Sequence, residues 1–337
     1  MRAQLLRKIS KVEDDPLQLV EVPTPIPRED EILIEVSVCG VCHTELDEIE
    51  GRLIPKLPVI LGHQIVGRVV ERGAKATHYS IGDRVGVAWI YHACGECYHC
   101  KNGYENLCDR FKGTGCDADG GYAEYMTVSE NFAYPIPSQL TDGETAPLLC
   151  AGAIGYRALK LTGMQNGETI GLYGYGASAH ILHQVIKYKF PDSKIYVFTK
   201  RKGDAPSQLA QKLGADWIGV TGETPPNKLN RAIDTTPSAT VIKEALRNLE
   251  KGGRLVINVI RKETSIPEME YSEYFWGEKE VKTVANITRK DVQEFLPIAA
   301  QLRLKLSITE FKLQEANKAL LLLKQGKYTG AAILRIT

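Results

Sequence analysis

The densest chemistry in this sequence is a run of thiols. Tyr91–Cys108 reads YHACGECYHCKNGYENLC and places Cys94, Cys97, Cys100 and Cys108 within fifteen residues. Gaps of two residues let neighbouring thiolates turn onto one point, and a later cysteine closes a tetrahedron. Four thiolates leave Zn²⁺ no open position, which is the pattern of a structural site. The spacing departs from the common ferredoxin runs, and there is no second knuckle or basic surround of a nucleic-acid zinc ribbon. Three further fragments hold metal-binding types: Cys39–Asp47 (CGVCHTELD), Gly62-His63-Gln64, and Leu148–Gly152 (LLCAG). Alone, each Cys or His reads as readily as a buried core residue.

A second kind of chemistry lies at Gly171–Gly176 (GLYGYG), after an apolar strand and before an Ala/Ile/Leu-rich helix at Ala177–Lys189. Such a turn, here with Gly171, Gly174, Tyr175, Gly176 and Ala177, offers backbone N–H groups and a helix N-terminus to a pyrophosphate.

The elements that must position these groups fall into two patterns. Before about residue 140 the chain shows β-branched alternation at Ile32–Val38, Val66–Val70 and Val85–Ala88, with Gly and Pro turns and no helix of convincing length. An antiparallel, partly barrel-like β domain is expected. After Cys150 strands and helices alternate: Glu168–Tyr173, Ala177–Lys189, Lys194–Thr199, Ser207–Leu213, Asp216–Val220, Arg231–Asp234, the helix Ser238–Glu250, and Arg254–Val259. Repeated βα units imply a parallel, doubly wound sheet, so the fold class is α/β. Helices at Arg289–Leu302 and Gln314–Gln325 and a strand at Ala331–Ile336 read as a return to the first domain. The expected division is 1–150 with 285–337, and 151–284.

Length and charge agree. A chain of 337 residues exceeds a usual single core, and Lys+Arg 42 against Asp+Glu 41 gives a net charge of +1. That balance argues against nucleic acid or an anionic membrane as partner. There is no run of about 20 apolar residues, and MRAQLLRKIS lacks the apolar core of a secretory signal, so the cytoplasm is the expected compartment.

Taken together, CGVCHTE, LGHQIVGRV, CGECYHCKNGYENLC, DGGYAEY, LLCAGAIGYRAL and GLYGYGASA resemble the zinc-containing alcohol dehydrogenases of the medium-chain dehydrogenase/reductase superfamily, over essentially the whole chain. The resemblance implies a GroES-like, β-rich catalytic domain and a Rossmann domain, with the active cleft between them. It implies two zinc ions per chain. Cys42, His63 and Cys150 would hold a catalytic zinc with one open position, and the four-cysteine lobe a structural one. Thr44 would bond the substrate oxygen and pass on its proton, and His43 would face the cofactor phosphates. Two positions depart from the family. Asp47 stands where a relay histidine is usual, and Gln64 where glutamate usually follows the glycine-histidine pair. An ionised Asp47, or water beside it, is expected to take the proton leaving Thr44. Gly171, Tyr173 and Gly176 fill the GxGxxG frame, with Tyr173 in the middle place and Ala179 small enough for close helix packing. Thr235, Asn258 and Val259 lie at strand ends, where cofactors bind in open sheets.

The implied activity is hydride transfer between an alcohol and an aldehyde or ketone. A semialdehyde or enal reductase, or a non-catalytic zinc- and nucleotide-binding scaffold, would share the fold. Family likeness also implies a homodimer or homotetramer joined near Val281–Asn286. Trp89, Ile90 and Trp276 are candidates for pocket lining. For the cofactor, the second strand ends at Thr199, followed by Lys200, Arg201 and Lys202, with no carboxylate to bond ribose hydroxyls or repel a 2′-phosphate. Arginine can grip phosphate through paired donors, so NADP(H) is expected over NAD(H).

Overall fold

A computed structural model of the chain describes residues 1–304, 306–328 and 330–337 and falls into two compact units, Met1–Cys150 with Asn286–Thr337, and Ala151–Ala285.

The first unit is organised by one long strand, Glu31–Val41. Its Ile32, Ile34, Val36, Val38 and Cys39 are fully buried. Each such aliphatic side chain contributes about 1.5–3 kcal/mol of transfer free energy. Ile65–Arg72 pairs antiparallel along one edge, and Tyr125–Ser129 and Ala331–Arg335 share the other. Arg84–Val87 and Ala133–Pro135 extend the sheet on one side, and Ile308–Lys312 closes it on the other, parallel to Ala331–Arg335. A smaller sheet joins Leu17–Glu21, Arg2–Leu6 and Val59–Ile60. The helix Arg289–Leu302 has the bounds the sequence leads one to expect. Thr288 caps it by accepting from Asp291 N–H at 3.2 Å, with Asp291 reaching back to Thr288.

One early helix was not expected. His43–Ile49 is helical, with Cys42 as its N-cap, so Thr44, Glu45 and Asp47 lie on a short helix and not at a strand end. Seven residues are too few for periodicity to announce a helix. A further local feature is the π-helical turn Leu148–Gly152, which carries Cys150.

The second unit holds a six-stranded, all-parallel sheet. In chain order its strands are β1 (Thr169–Tyr173), β2 (Lys194–Thr199), β3 (Trp217–Val220), β4 (Leu229–Asp234), β5 (Leu249–Ile257) and β6 (Glu280–Thr283). Their spatial order is 3-2-1-4-5-6, so the winding reverses between β1 and β4. Ligands of doubly wound sheets bind beyond the carboxyl ends of the strands at that reversal. β5 starts earlier than expected, since Leu249 already pairs with Leu229 before the register shifts to Arg231 opposite Arg254, and the preceding helix is shorter, Thr240–Asn248. No helix among the described residues is long and apolar enough to cross a membrane.

Candidate metal centres and dinucleotide turn

Cys42, His63 and Cys150 come from three separate parts of the first unit. Cys42 caps the helix His43–Ile49, His63 precedes the strand Ile65–Arg72, and Cys150 sits in the π-turn. Their ligand atoms lie within 4.8 Å of one another. Cys42 Sγ is 4.0 Å from Cys150 Sγ, and His63 Nε2 is 3.3 Å from Cys150 Sγ. A tetrahedral zinc with sulfur at about 2.3 Å and nitrogen at about 2.0–2.1 Å separates such ligands by roughly 3.5–3.8 Å, so the trio fits. Its electrostatics ask for a cation. The bond from Cys150, helped by His63 and opposed by burial, holds the Cys42 thiol well below its ordinary value. The same bond and then burial push Cys150 well above. Two adjacent half-buried sulfurs both ionise readily only around a positive charge.

The trio is supported by a residue that pattern reading passed over. Glu45 Oε1 lies 2.6 Å from His63 Nδ1, and its Oε2 accepts from Cys42 N–H at 2.8 Å. This fully buried carboxylate therefore orients the histidine and the N-cap cysteine together. The signal was available: glutamate three residues after a helix N-cap is the capping-box spacing. Trp89 meets the His63 ring edge-on at 5.0 Å, whereas Ile90 is core and Trp276 is 68% exposed.

Thr44 Oγ1 lies 3.6 Å from Cys42 Sγ, while His43 is exposed. Asp47 is buried on the same helix, one turn beyond Thr44, and its carboxylate accepts from Arg52 Nε. Gln64 is also buried, packed so closely on Gly40 that a Cβ there would meet it at 2.7 Å.

The four-cysteine lobe forms a second cluster. Cys94 Sγ and Cys100 Sγ are 3.8 Å apart, and Cys94 and Cys97 N–H donate to Cys108 Sγ and Cys94 Sγ, each at 3.4 Å. Those backbone donors belong to tight turns that thiolates stabilise, and the donor set fits a closed Zn²⁺ site. The lobe is tied down by buried Glu105, which accepts from Arg289 N–H at 2.8 Å and Nε at 3.2 Å.

In the second unit the glycine turn is real, but its frame differs from the expected one. Gly171 lies inside β1, where an added Cβ would meet Leu229 at 2.5 Å. Tyr173 is still strand. Its ring stacks on Phe198 at 4.0 Å, and its hydroxyl accepts from Asn248 at 3.0 Å. The turn proper starts at Gly174, with φ +82°, and the helix Ala177–Lys189 starts after Gly176. The fingerprint is therefore Gly174-x-Gly176-x-x-Ala179, the G-x-G-x-x-A form. Gly176 is exposed, and a Cβ on it would meet nothing within 4 Å, which leaves open the space a pyrophosphate needs.

At the ends of β4 and β5, Thr235 bonds the Tyr173 carbonyl through N–H and hydroxyl, and Asn258 N–H donates to the Asp234 carbonyl at 2.8 Å, with Val259 next and half-buried. Beneath them is an ion pair that the sequence did not announce. Asp234 is fully buried, accepts from Thr236 N–H and hydroxyl, and meets Lys262 Nζ at 2.6 Å. Lys262 also donates to the Thr236 and Ser238 carbonyls, so one ammonium fastens two strand-end loops. After β2, Thr199 is buried, with its hydroxyl on the Arg201 carbonyl and the Ser207 hydroxyl. Its hydroxyl shapes the turn instead of facing a ligand. Lys200 and Arg201 are exposed, and Lys202 pairs with Glu223 at 2.6 Å.

Comparison with known proteins bears on this geometry. Residues 28–138 match the alcohol dehydrogenase GroES-like domain. Over its whole length the chain is 40% identical to 97% of "Probable alcohol dehydrogenase AdhA" of Mycobacterium tuberculosis. It belongs to the zinc-containing medium-chain alcohol dehydrogenases. An alcohol dehydrogenase of Geobacillus stearothermophilus is 33% identical, with both chains covered completely. Among solved structures, an alcohol dehydrogenase of Aeropyrum pernix superposes with a TM-score of 0.87 at 25% identity, covering 99% of this chain and 100% of that one. The medium-chain family pairs a zinc centre with a nicotinamide cofactor, and both donor clusters and the dinucleotide turn are present here.

Proposed function

We propose that this alcohol dehydrogenase is NADP(H)-preferring and interconverts alcohols with aldehydes or ketones at Cys42–His63–Cys150. The observation that carries the reading is the open three-ligand cluster with Thr44 Oγ1 3.6 Å from Cys42 Sγ. Zinc held there supplies Lewis acidity that makes a bound hydroxyl easier to deprotonate or a carbonyl more electrophilic. A nicotinamide dinucleotide on the Gly174–Gly176 turn supplies the hydride donor or acceptor. Glu45 keeps the His63 ring turned so that Nε2 faces the cluster. Thr44 accepts the substrate proton at Oγ1 and hands it on, and Asp47 or water beside it receives it. Asp47→Asn should change the rate and pH dependence of alcohol oxidation. An unchanged profile would remove Asp47 from the relay.

The cofactor preference is supported by the absence of a carboxylate at the end of β2 and by exposed Lys200 and Arg201. Because Thr199 is turned inward, the discrimination falls to those two cations. Steady-state kinetics with NADPH and NADH over aliphatic, aromatic and semialdehyde substrates test it. A higher kcat/KM with NADPH is expected, and Arg201→Ala should weaken NADPH far more than NADH. A parent that prefers NADH, or equal losses in Arg201→Ala, would reverse the assignment. A homodimer or homotetramer is supported by β6, an edge strand whose residues are all exposed. Light scattering decides between monomer and assembly.

A further inference from the structure

The helix Ala177–Lys189 carries two histidines, His180 and His183, that neither the zinc site nor the fingerprint uses. Both are buried, and both reach back to the glycine turn. His180 Nδ1 lies 3.1 Å from the Gly176 carbonyl, which also accepts from the His180 N–H. His183 Nδ1 lies 2.7 Å from the hydroxyl of Tyr175, the residue between the two glycines. Tyr175 is only 5% exposed, and its ring meets the imidazole edge-on at 5.9 Å.

This arrangement answers a physical difficulty of such turns. Glycines lose more conformational freedom on ordering than other residues, and a ligand that must order them binds more weakly. A tertiary bond from the middle of the turn to the following helix moves that ordering into folding. Burial and then the nearby Lys187 charge lower the His183 pKa to about 4. Its ring is therefore neutral at working pH, and Nδ1 can accept from the phenol.

We propose that Tyr175 and His183 form a positioning pair that holds the Gly174–Gly176 turn ready for the dinucleotide pyrophosphate. This rests on assigning that turn to the cofactor. The bonds of the pair run only to each other within the glycine turn and its helix, so its removal should appear in cofactor affinity and not in turnover. Dissociation constants for NADPH and NADH are measured by fluorescence titration, alongside KM, kcat and amide hydrogen exchange over residues 174–180. In Tyr175→Phe and in His183→Leu both constants should rise roughly threefold to tenfold, the size of one net hydrogen bond, with kcat within twofold of the parent. The double variant should be no worse than the weaker single. His183→Asn, whose Oδ1 can stand near the place of Nδ1, should recover most of the affinity. Exchange in the turn should quicken in Tyr175→Phe without ligand. Gly176→Val separates the two levels of the argument. If it leaves binding unchanged, the turn is not the pyrophosphate site and the proposal falls with it. If Gly176→Val weakens binding while Tyr175→Phe does not, or if the two single effects add, the turn stands and the positioning pair is refuted. A His183→Leu protein that folds poorly does not decide the matter, because Tyr175→Phe and His183→Asn carry the same contrast.

Discussion

Lys262→Met should be among the most damaging single changes in the second unit, although Lys262 lies in a loop. Methionine nearly matches the lysine stem in volume, so the loss is confined to the ammonium. Three interactions go with it: Asp234 Oδ2 at 2.6 Å, the Thr236 carbonyl at 2.7 Å and the Ser238 carbonyl at 3.3 Å. What remains is a carboxylate with 0% exposure, held only by the Thr236 N–H and hydroxyl. Breaking one side of a buried pair in this way costs about 3–5 kcal/mol, because a charge stays behind without its counter-ion. For a unit of this size that is a fall in Tm of roughly 10 °C or more. Thermal and urea unfolding of zinc-loaded protein measure it. Adding Asp234→Asn to Lys262→Met should restore much of the loss, since a neutral amide oxygen still accepts both Thr236 donors. A single variant within about 1 kcal/mol of the parent, or a double variant no better than the single, would refute the reasoning.

Elemental analysis should find two zinc ions per chain. Cys42→Ser should lose one zinc and activity while keeping the fold, whereas Cys97→Ser should lose the other zinc and melt at lower temperature. Gly171→Ala should lower stability by about 1–3 kcal/mol through its clash with Leu229 yet leave dinucleotide affinity unchanged, the reverse of Gly176→Val. Acid unfolding should report Glu50. Burial opposes its ionisation, but the hydrogen bonds from Lys324 and Arg52 lower its pKa from 4.5 to about 2. A depressed carboxylate stabilises the fold above its unfolded pKa and loses that contribution as pH falls through the folded one. Glu50→Gln should therefore remove about 1–2 kcal/mol at neutral pH, with its gap from the parent closing between pH 4.5 and 2.

Legibility in the sequence followed the range of the forces involved. The helix Ala177–Lys189 and the strand Lys194–Thr199 were readable to the residue, because local periodicity and glycine punctuation define both. The four-cysteine lobe was readable because its ligands are neighbours in the chain. Cys42, His63 and Cys150 were not readable from spacing, since the fold brings together residues 108 apart, and only the family likeness joined them. The glycine frame was misplaced by three residues for a definite reason. Gly171 is paired with Tyr196 inside the sheet, whereas Gly174, whose N–H still donates to the Phe198 carbonyl of β2, turns away there at φ +82°, and where the strand ends is a property of the sheet. The inward turn of the Thr199 hydroxyl, onto Ser207 and the Arg201 carbonyl, depends on the following helix and has no mark in the strand itself. Glu45 was marked only by its capping-box spacing, which depends on recognising a short helix, and Lys262 gave no sign because its partner Asp234 is set beneath it by the sheet.

The π-turn at Leu148–Gly152 bears on how this chain can change over generations. An α-helix advances by about 100° per residue, and a π-turn accommodates one residue more than the surrounding helix would. Deleting a residue between the Thr141 cap and Cys150 would swing another side chain toward Cys42 and His63. The residue that would take the place of Cys150, Ala151, is an apolar group with no capacity to bind zinc. The metal site thus fixes the length of that stretch, while burial of Ala146, Leu148 and Leu149 constrains its apolar positions. A variant of this chain with one residue deleted between positions 141 and 150 should hold one zinc fewer by elemental analysis.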